Sequence, residues 1–141
     1  MKMIENEMNV TVPLEIIKAS EIEPKEVKWL WYPYIPFGKV TLLQGDPGDG
    51  KSKLMLSIAA LLSKGEPLPF TDEEETESMT IIYQTTEDDA DDTVVPRFNS
   101  AGGNGENLIF IKEDEKSLSF GDNRIAEAIE KYHAKLLILD P

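Results

Sequence analysis

The strongest limit on the fold of this chain comes from eight residues, 45–52, which read Gly-Asp-Pro-Gly-Asp-Gly-Lys-Ser. They match the pattern G-x-x-x-x-G-K-[ST] at every fixed position. The preceding residues, 39–44, form a β-branched and aliphatic run typical of a buried parallel strand. From 51 to 64 apolar residues recur at helical spacing, and Gly65 stands where a C-terminal cap belongs. The order of strand, glycine-rich loop and helix predicts a loop that binds phosphate.

The residue types in this loop suit a nucleoside triphosphate. Glycines let the backbone wrap a phosphate without Cβ clashes, so N–H groups and the positive end of the helix point at it. Lys51 supplies a positive charge for the β- and γ-phosphates, and the Ser52 hydroxyl suits Mg²⁺. An ordinary glycine turn is the alternative, which the flanking strand and helix patterns disfavour. The predicted ATP-binding residues are Gly45, Asp46, Pro47, Gly48, Asp49, Gly50, Lys51 and Ser52.

The segments after the loop alternate between strand and helix patterns. Such alternation predicts an α/β fold with a mostly parallel sheet, whose ligand lies at the C-terminal ends of the strands. The predicted strands are 79–85, 108–111 and 136–139. One helix is expected over 88–95, a second from Pro96 to the Gly102-Gly103 pair, and a third after Asp122 with Ile125, Ile129 and Tyr132 on one face.

Two carboxylates follow predicted strands and are candidates for the chemistry. Asp140 closes the last strand, where a carboxylate can reach the Mg²⁺ shell directly or through water. Glu87 follows the second strand and can orient or deprotonate the attacking water. The alternatives are a simple turn residue for Asp140 and, for Glu87, a helix-start carboxylate favoured by the macrodipole. We predict a metal-side role for Asp140 and a catalytic role for Glu87, together with Lys51.

The chain before the loop divides into two parts. Residues 1–28 are polar and charge-rich and are interpreted as an N-terminal arm, so the predicted domain covers 29–141. An aromatic cluster follows the arm and is broken by Pro33 and Pro36, which predicts an ordered loop. Its members are expected to form a hydrophobic clasp under the first strand, and the alternative is a stacking platform for adenine or a nucleic-acid base. They are Trp29, Trp31, Tyr32, Tyr34 and Phe37.

Composition limits the partners and the compartment. With a formal charge of −13, the chain is not expected to have a broad surface that neutralises DNA phosphates. Any contact with DNA is expected only through a local patch or through residues outside this sequence. The chain has no cysteine, which excludes disulfides and thiolate metal sites and agrees with a reducing compartment. The sequence shows neither a signal-peptide pattern nor a run of ~20 apolar residues. We therefore expect a cytoplasmic protein with no membrane partner.

Four blocks together resemble a known family. They are the Trp-Leu-Trp and Gly-Lys-Val-Thr of 29–41, the glycine-rich loop, the Thr-Glu-Asp to Pro-Arg-Phe block of 86–98 with Ala101-Gly102, and the closing residues 136–141. In these blocks the chain is similar to the RecA-like ATPases of the plasmid RepA helicase type, an AAA-type group found in phages, plasmids and mobile elements. The similarity covers nearly everything after Lys28.

The resemblance implies a three-layer P-loop NTPase with a RecA-like sheet flanked by helices. It implies that Lys51 and Ser52 bind ATP, that Glu87 activates water, and that Asp140 supports magnesium. It also implies a homo-oligomeric ring and a role as a replicative helicase, a loader or another DNA-processing ATPase. Members of this family continue beyond the position of Asp140-Pro141 with more strands and with DNA-contacting loops. The chain is therefore expected to be truncated after the strand that ends in Asp140, the Walker B strand. It is also expected to lack the strand that, in this family, lies between the Walker B strand and the phosphate-loop strand.

Two other functions share the same loop. A P-loop nucleotide or small-molecule kinase would transfer phosphate to an acceptor, and such kinases clamp phosphates with several arginines, whereas this chain has Arg97 and Arg124. A non-hydrolysing nucleotide switch would bind ATP through Lys51 and Ser52 and would be indifferent to the loss of Glu87. We expect a Mg²⁺-dependent ATPase, and these two classes remain the alternatives.

Overall fold

The computed structural model describes residues 11–72, 74–85, 90–113, 118–119 and 121–141. The strands are β1 (Trp29–Trp31), β2 (Ile35–Pro36), β3 (Ile81–Thr85), β4 (Leu108–Ile109) and β5 (Leu136–Asp140). The α-helices are α1 (Lys51–Lys64), α2 (Val95–Ser100) and α3 (Asn123–Tyr132). Single helical turns of 3-10 type lie at Ala19–Glu21 and Gly105–Asn107, and one of π type lies at Ala90–Val94.

Helix α1 has the predicted limits, and a glycine with a positive φ stands at each end. Gly50 precedes it with φ 85°, and Gly65 follows it with φ 69°. The Gly65 N–H donates to the carbonyls of Leu61 and Leu62, which closes the last turn. One face of the helix is buried and forms much of the core, through Leu56, Ile58, Ala59, Ala60, Leu62 and Ser63.

A parallel three-stranded sheet packs beside this helix, in the order β4-β3-β5. In the central strand β3, Ile81 and Tyr83 belong to the same core cluster as α1. Ile82 is also completely buried, and the alternation of a strand places it on the opposite face. The register pairs Ile81 with Leu136 and Thr85 with Asp140, so β3 and β5 end at one edge of the sheet. The predicted α/β class and the parallel pairing are confirmed.

The last helix confirms a predicted cap. The Asp122 side chain accepts a hydrogen bond from the Arg124 N–H at 2.9 Å, and the Arg124 guanidinium donates to its Oδ2 at 2.7 Å. Helix α3 ends at His133, which has φ 53° and donates its N–H to the Ile129 carbonyl. His133 thus ends the helix in the left-handed conformation.

The region before α2 differs from the prediction of two separate helices. The π-type turn Ala90–Val94 runs directly into α2, and Pro96 lies in the first turn of α2, where its missing N–H costs nothing. Helix α2 ends at the cap residue Ala101, just before the predicted Gly102-Gly103 pair. The Phe98 ring is buried against Gly103, where an added Cβ would lie 2.3 Å from the ring. The absence of a side chain at Gly103 makes this contact possible.

The aromatic cluster forms a short hairpin instead of the predicted loop. Strands β1 and β2 pair antiparallel, and Pro36 lies at the end of the two-residue strand β2. Trp31 joins the core, and its Nε1–H donates to the Pro69 carbonyl at 2.9 Å. These contacts support a packing role for Trp31 instead of a stacking role, whereas Tyr32 and Tyr34 are exposed.

The strand expected over 39–44 does not form. These residues have no strand partner among the described residues, and β5 forms one edge of the three-stranded sheet. Val40 is 92% exposed and Leu42 is 75% exposed. The sequence pattern describes side chains that could be buried, but a strand also needs a neighbour that satisfies its backbone N–H and C=O groups.

Within the described ranges, no helix is both long enough and apolar enough to cross a membrane.

The glycine after α1 provides a test of this packing. At Gly65 the backbone is left-handed, and an added Cβ would lie 2.1 Å from the Thr76 carbonyl oxygen. We predict that Gly65→Ala lowers the free energy of unfolding by about 2–4 kcal/mol, because a backbone penalty adds to a steric clash. Denaturant unfolding measures this change.

The matched control is Gly105→Ala, because a Cβ there meets nothing within 4 Å and φ is not positive. Its effect should stay within about 0.5 kcal/mol. Equal stabilities for Gly65→Ala and the unsubstituted chain would mean that residue 65 is neither left-handed nor packed against the Thr76 carbonyl.

Candidate nucleotide-binding site

The glycine-rich loop folds back on itself between the hairpin and α1. Gly48 and Gly50 both have positive φ, 89° and 85°, and a Cβ on either would meet open space. The Asp49 N–H donates to the Asp46 carbonyl at 3.1 Å, and the Asp46 N–H donates to the Asp49 carboxylate at 2.7 Å. The loop therefore owes its shape to left-handed glycines and to hydrogen bonds within itself.

The start of α1 faces the loop without a side-chain cap. Its N-cap residue is Gly50, which has no side chain to bind the free N–H groups of the first turn. The first helical bond runs from the Leu54 N–H to the Gly50 carbonyl at 2.9 Å. Uncapped N–H groups together with the positive end of a 14-residue helix favour an anion at this position.

Lys51 bends back over the loop from the first turn of the helix. Its Nζ donates to the Gly45 carbonyl at 2.6 Å and to the Asp46 carbonyl at 3.1 Å. The ammonium group thus lies beside the backbone that would surround a phosphate. The side chain is solvent-accessible, so a ligand can reach it.

Ser52 and Asp140, which the sequence assigns to the metal side of the site, are in direct contact. The Ser52 Oγ–H donates to Asp140 Oδ2 at 2.6 Å, although 88 residues separate them in the chain. The Tyr83 hydroxyl donates to the same oxygen at 2.5 Å. One carboxylate oxygen therefore joins the start of α1 to the ends of β3 and β5.

Two cavities border the end of β5. One, of about 300 Å³, is lined by Lys51, Ser52 and Asp140 and by apolar side chains that include Leu42 and Ile138. The other, of about 380 Å³, is lined by Gln84, Thr85 and Asp140 among others. The polar residues of the candidate site thus border open space at the C-terminal edge of the sheet.

The predicted catalytic residue Glu87 lies outside the described residues. Strand β3 ends two positions earlier, at Thr85, which is paired with Asp140. Strand β3 therefore ends at the same edge of the sheet as the predicted magnesium residue. The catalytic role of Glu87 stays a prediction.

Tyr83 is the site residue that sequence reasoning missed. It falls within the predicted strand 79–85, and its hydroxyl contact with Asp140 depends on the pairing of β3 with β5. The available signal was a hydroxyl-bearing side chain two positions before the end of a buried strand. That signal gains meaning only when the register of the neighbouring strand is known.

Comparison with protein families agrees with this geometry. A family model described as AAA domain (AAA_25) matches residues 8–141. The chain belongs to the AAA domain family. This AAA domain is therefore a nucleotide-binding ATPase domain of the P-loop class. In separate comparisons, no curated protein and no solved structure matches the chain.

The position of Lys51 in the AAA domain gives a binding prediction. We predict that Lys51→Ala weakens MgATP binding by about 10- to 100-fold, because charge-assisted hydrogen bonds contribute roughly 1.5–3 kcal/mol each. Isothermal titration calorimetry measures the affinity. Lys131→Ala on α3 removes an equal charge from an exposed position and should leave the affinity unchanged. Equal affinities for Lys51→Ala and the unsubstituted chain would place the phosphates elsewhere.

Proposed function

We propose that this AAA domain binds ATP with Mg²⁺ and hydrolyses it as part of a motor or loader that processes the DNA of a mobile element. The observation that carries the ATP and Mg²⁺ part of the proposal is the hydrogen bond between Ser52 Oγ and Asp140 Oδ2. It brings a phosphate-loop hydroxyl and a strand-end carboxylate together beside uncapped helix N–H groups. This combination is what a magnesium-bound triphosphate needs.

The side chains present fit Mg²⁺. A hydroxyl and a carboxylate are hard oxygen donors, and Mg²⁺ is commonly held by one or two such groups, with water and phosphate oxygens completing its shell. Because Ser52 donates its proton to Asp140, the serine oxygen keeps its lone pairs for the ion. When bound, the ion would neutralise charge on the β- and γ-phosphates.

Each of the candidate site residues then has a separate role in the hydrolysis of ATP. The loop N–H groups and Lys51 hold the β- and γ-phosphates and balance charge as it builds up on the bridging oxygen. Glu87 accepts a proton from water while the water oxygen bonds to the γ-phosphorus and the bond to the bridging oxygen breaks. ADP and inorganic phosphate leave. Asp140 keeps Ser52 oriented throughout.

The finer fold assignment is also part of this proposal. A RecA-like sheet has a strand between the phosphate-loop strand and the strand that ends in the aspartate. The segment 39–44 and β5 border one cavity, which Leu42, Leu43, Ile138 and Leu139 help to line, and they are not paired with each other. This separation supports the RecA-like order. The ring assembly and the DNA role rest on the resemblance to helicase-type ATPases, since a fold alone does not fix a function.

Turnover separates the proposed ATPase from the alternatives. We predict that Glu87→Gln in the full-length protein keeps the affinity for MgATP and lowers hydrolysis by about 100-fold or more, because the amide retains the shape but cannot accept a proton. Release of inorganic phosphate without an added acceptor measures turnover, and calorimetry measures affinity. Glu127→Gln on the exposed face of α3 is the matched control and should hydrolyse ATP at the original rate.

Three results would contradict this proposal. Unchanged hydrolysis by Glu87→Gln would move the general base to another residue. Tight MgATP binding without phosphate release by the unsubstituted full-length protein would favour a non-hydrolysing switch. Release that requires an acceptor molecule would favour a kinase.

A further inference from the structure

Tyr83 places a polar group deep in the core of this AAA domain. Its side chain is 1% exposed, and its neighbours in the core are apolar residues of α1 and of the sheet. A buried hydroxyl costs free energy unless it forms a hydrogen bond, and phenylalanine would fill the same space without that cost. The hydroxyl of Tyr83 donates to Asp140 Oδ2 at 2.5 Å. Phenylalanine at this position could not make this contact.

The strand register explains how the hydroxyl reaches the carboxylate. Tyr83 pairs with Ile138 on β5, and Asp140 lies two positions further along the same strand and on the same face. Neighbouring strands lie about 4.8 Å apart and two residues rise about 6.6 Å along a strand, so such diagonal neighbours are roughly 8 Å apart, a distance that a long aromatic side chain spans. The ring also packs against Phe110 in an edge-to-face arrangement, with ring centroids 6.3 Å apart and an angle of 63° between the ring planes. The hydroxyl is thus fixed by the core and not by solvent.

We propose that Tyr83 is a positioning residue that holds the Asp140 carboxylate in the orientation required for magnesium-dependent nucleotide binding. This inference rests on the proposed function, in which Asp140 supports the ion. Ser52 and Tyr83 donate to one and the same oxygen, Oδ2. The two donors approach from different elements, α1 and β3, so they fix the rotation of the carboxylate as well as its position. Hydrogen-bonded partners of this kind typically change metal affinity by 10- to 100-fold when they are removed.

Positioning and simple packing predict different results for Tyr83→Phe. The substitution keeps the ring and its contact with Phe110 but removes the donor to Asp140. If the hydroxyl only stabilises the fold, ATP binding without magnesium and with magnesium should change together. If it positions Asp140, the magnesium-free affinity is preserved, and the gain in affinity that magnesium brings is reduced.

The test is calorimetric titration of the 141-residue chain with ATP, once in EDTA and once in excess Mg²⁺. The ratio of the two affinities is the magnesium gain. We expect Tyr83→Phe to lower this gain about 10-fold and to leave the affinity in EDTA within about twofold. The matched control is Tyr132→Phe, which removes an exposed hydroxyl from the end of α3 and should keep the original gain.

A second measurement leaves residue 83 unchanged, in case the variant unfolds. All four tyrosines are labelled with fluorotyrosine and followed by ¹⁹F NMR. Single phenylalanine substitutions assign Tyr32, Tyr34 and Tyr132, so the remaining signal belongs to Tyr83. Addition of Mg²⁺ to the ATP-bound chain should shift the Tyr83 signal and leave that of Tyr132 in place.

Each outcome decides between specific claims. An unchanged or larger magnesium gain in Tyr83→Phe, or a Tyr83 signal that does not respond to Mg²⁺, would overturn the positioning role while the proposed function stands. If Tyr83→Phe lowers the affinity for ATP equally in EDTA and in Mg²⁺, Tyr83 has only a packing role. If the unsubstituted chain shows no magnesium gain, the proposed magnesium site fails, and the inference fails with it.

Discussion

The hydrogen bond between Ser52 and Asp140 is the contact on which the organisation of the site depends. It requires α1 to start beside the C-terminal edge of the sheet, and it requires β5 to run parallel to β3 in the register that pairs Asp140 with Thr85. Both conditions follow from burial, because α1 and the core faces of β3 and β5 contribute to one apolar cluster. The hydrophobic core thus sets the distance between two polar groups that are far apart in the sequence.

Local signals were sufficient for much of the fold. The glycines that flank α1, the Asp122 cap of α3 and the aliphatic run of β5 each depend on a few neighbouring residues, and the structure has them where the sequence predicts them. Residues 39–44 show the limit of such signals. Their pattern is that of a buried strand, but a strand is a property of a pair, and no described residue pairs with them. The hairpin β1-β2 was missed for a related reason, since its two prolines disfavour strands except at ends and edges.

The candidate site likewise contains residues that the local sequence predicts and residues that it does not. The loop chemistry could be predicted because consecutive residues carry it, and Asp140 could be predicted because it ends a strand. Tyr83 could not, because its contact with Asp140 crosses from one strand to the next along a diagonal that depends on register. Glu87 lies outside the described residues, so its part in catalysis is decided by turnover measurements and not by geometry.

A double-mutant cycle on the Ser52–Asp140 pair tests most directly whether the two residues act as one magnesium-binding unit. The variants Ser52→Ala, Asp140→Asn and their combination are titrated with ATP in excess Mg²⁺. We predict a coupling of about 0.5–3 kcal/mol, so that the double variant binds nearly as well as the weaker single variant. Strictly additive losses would contradict this, because they would mean that the hydrogen bond seen between Ser52 Oγ and Asp140 Oδ2 has no part in nucleotide binding.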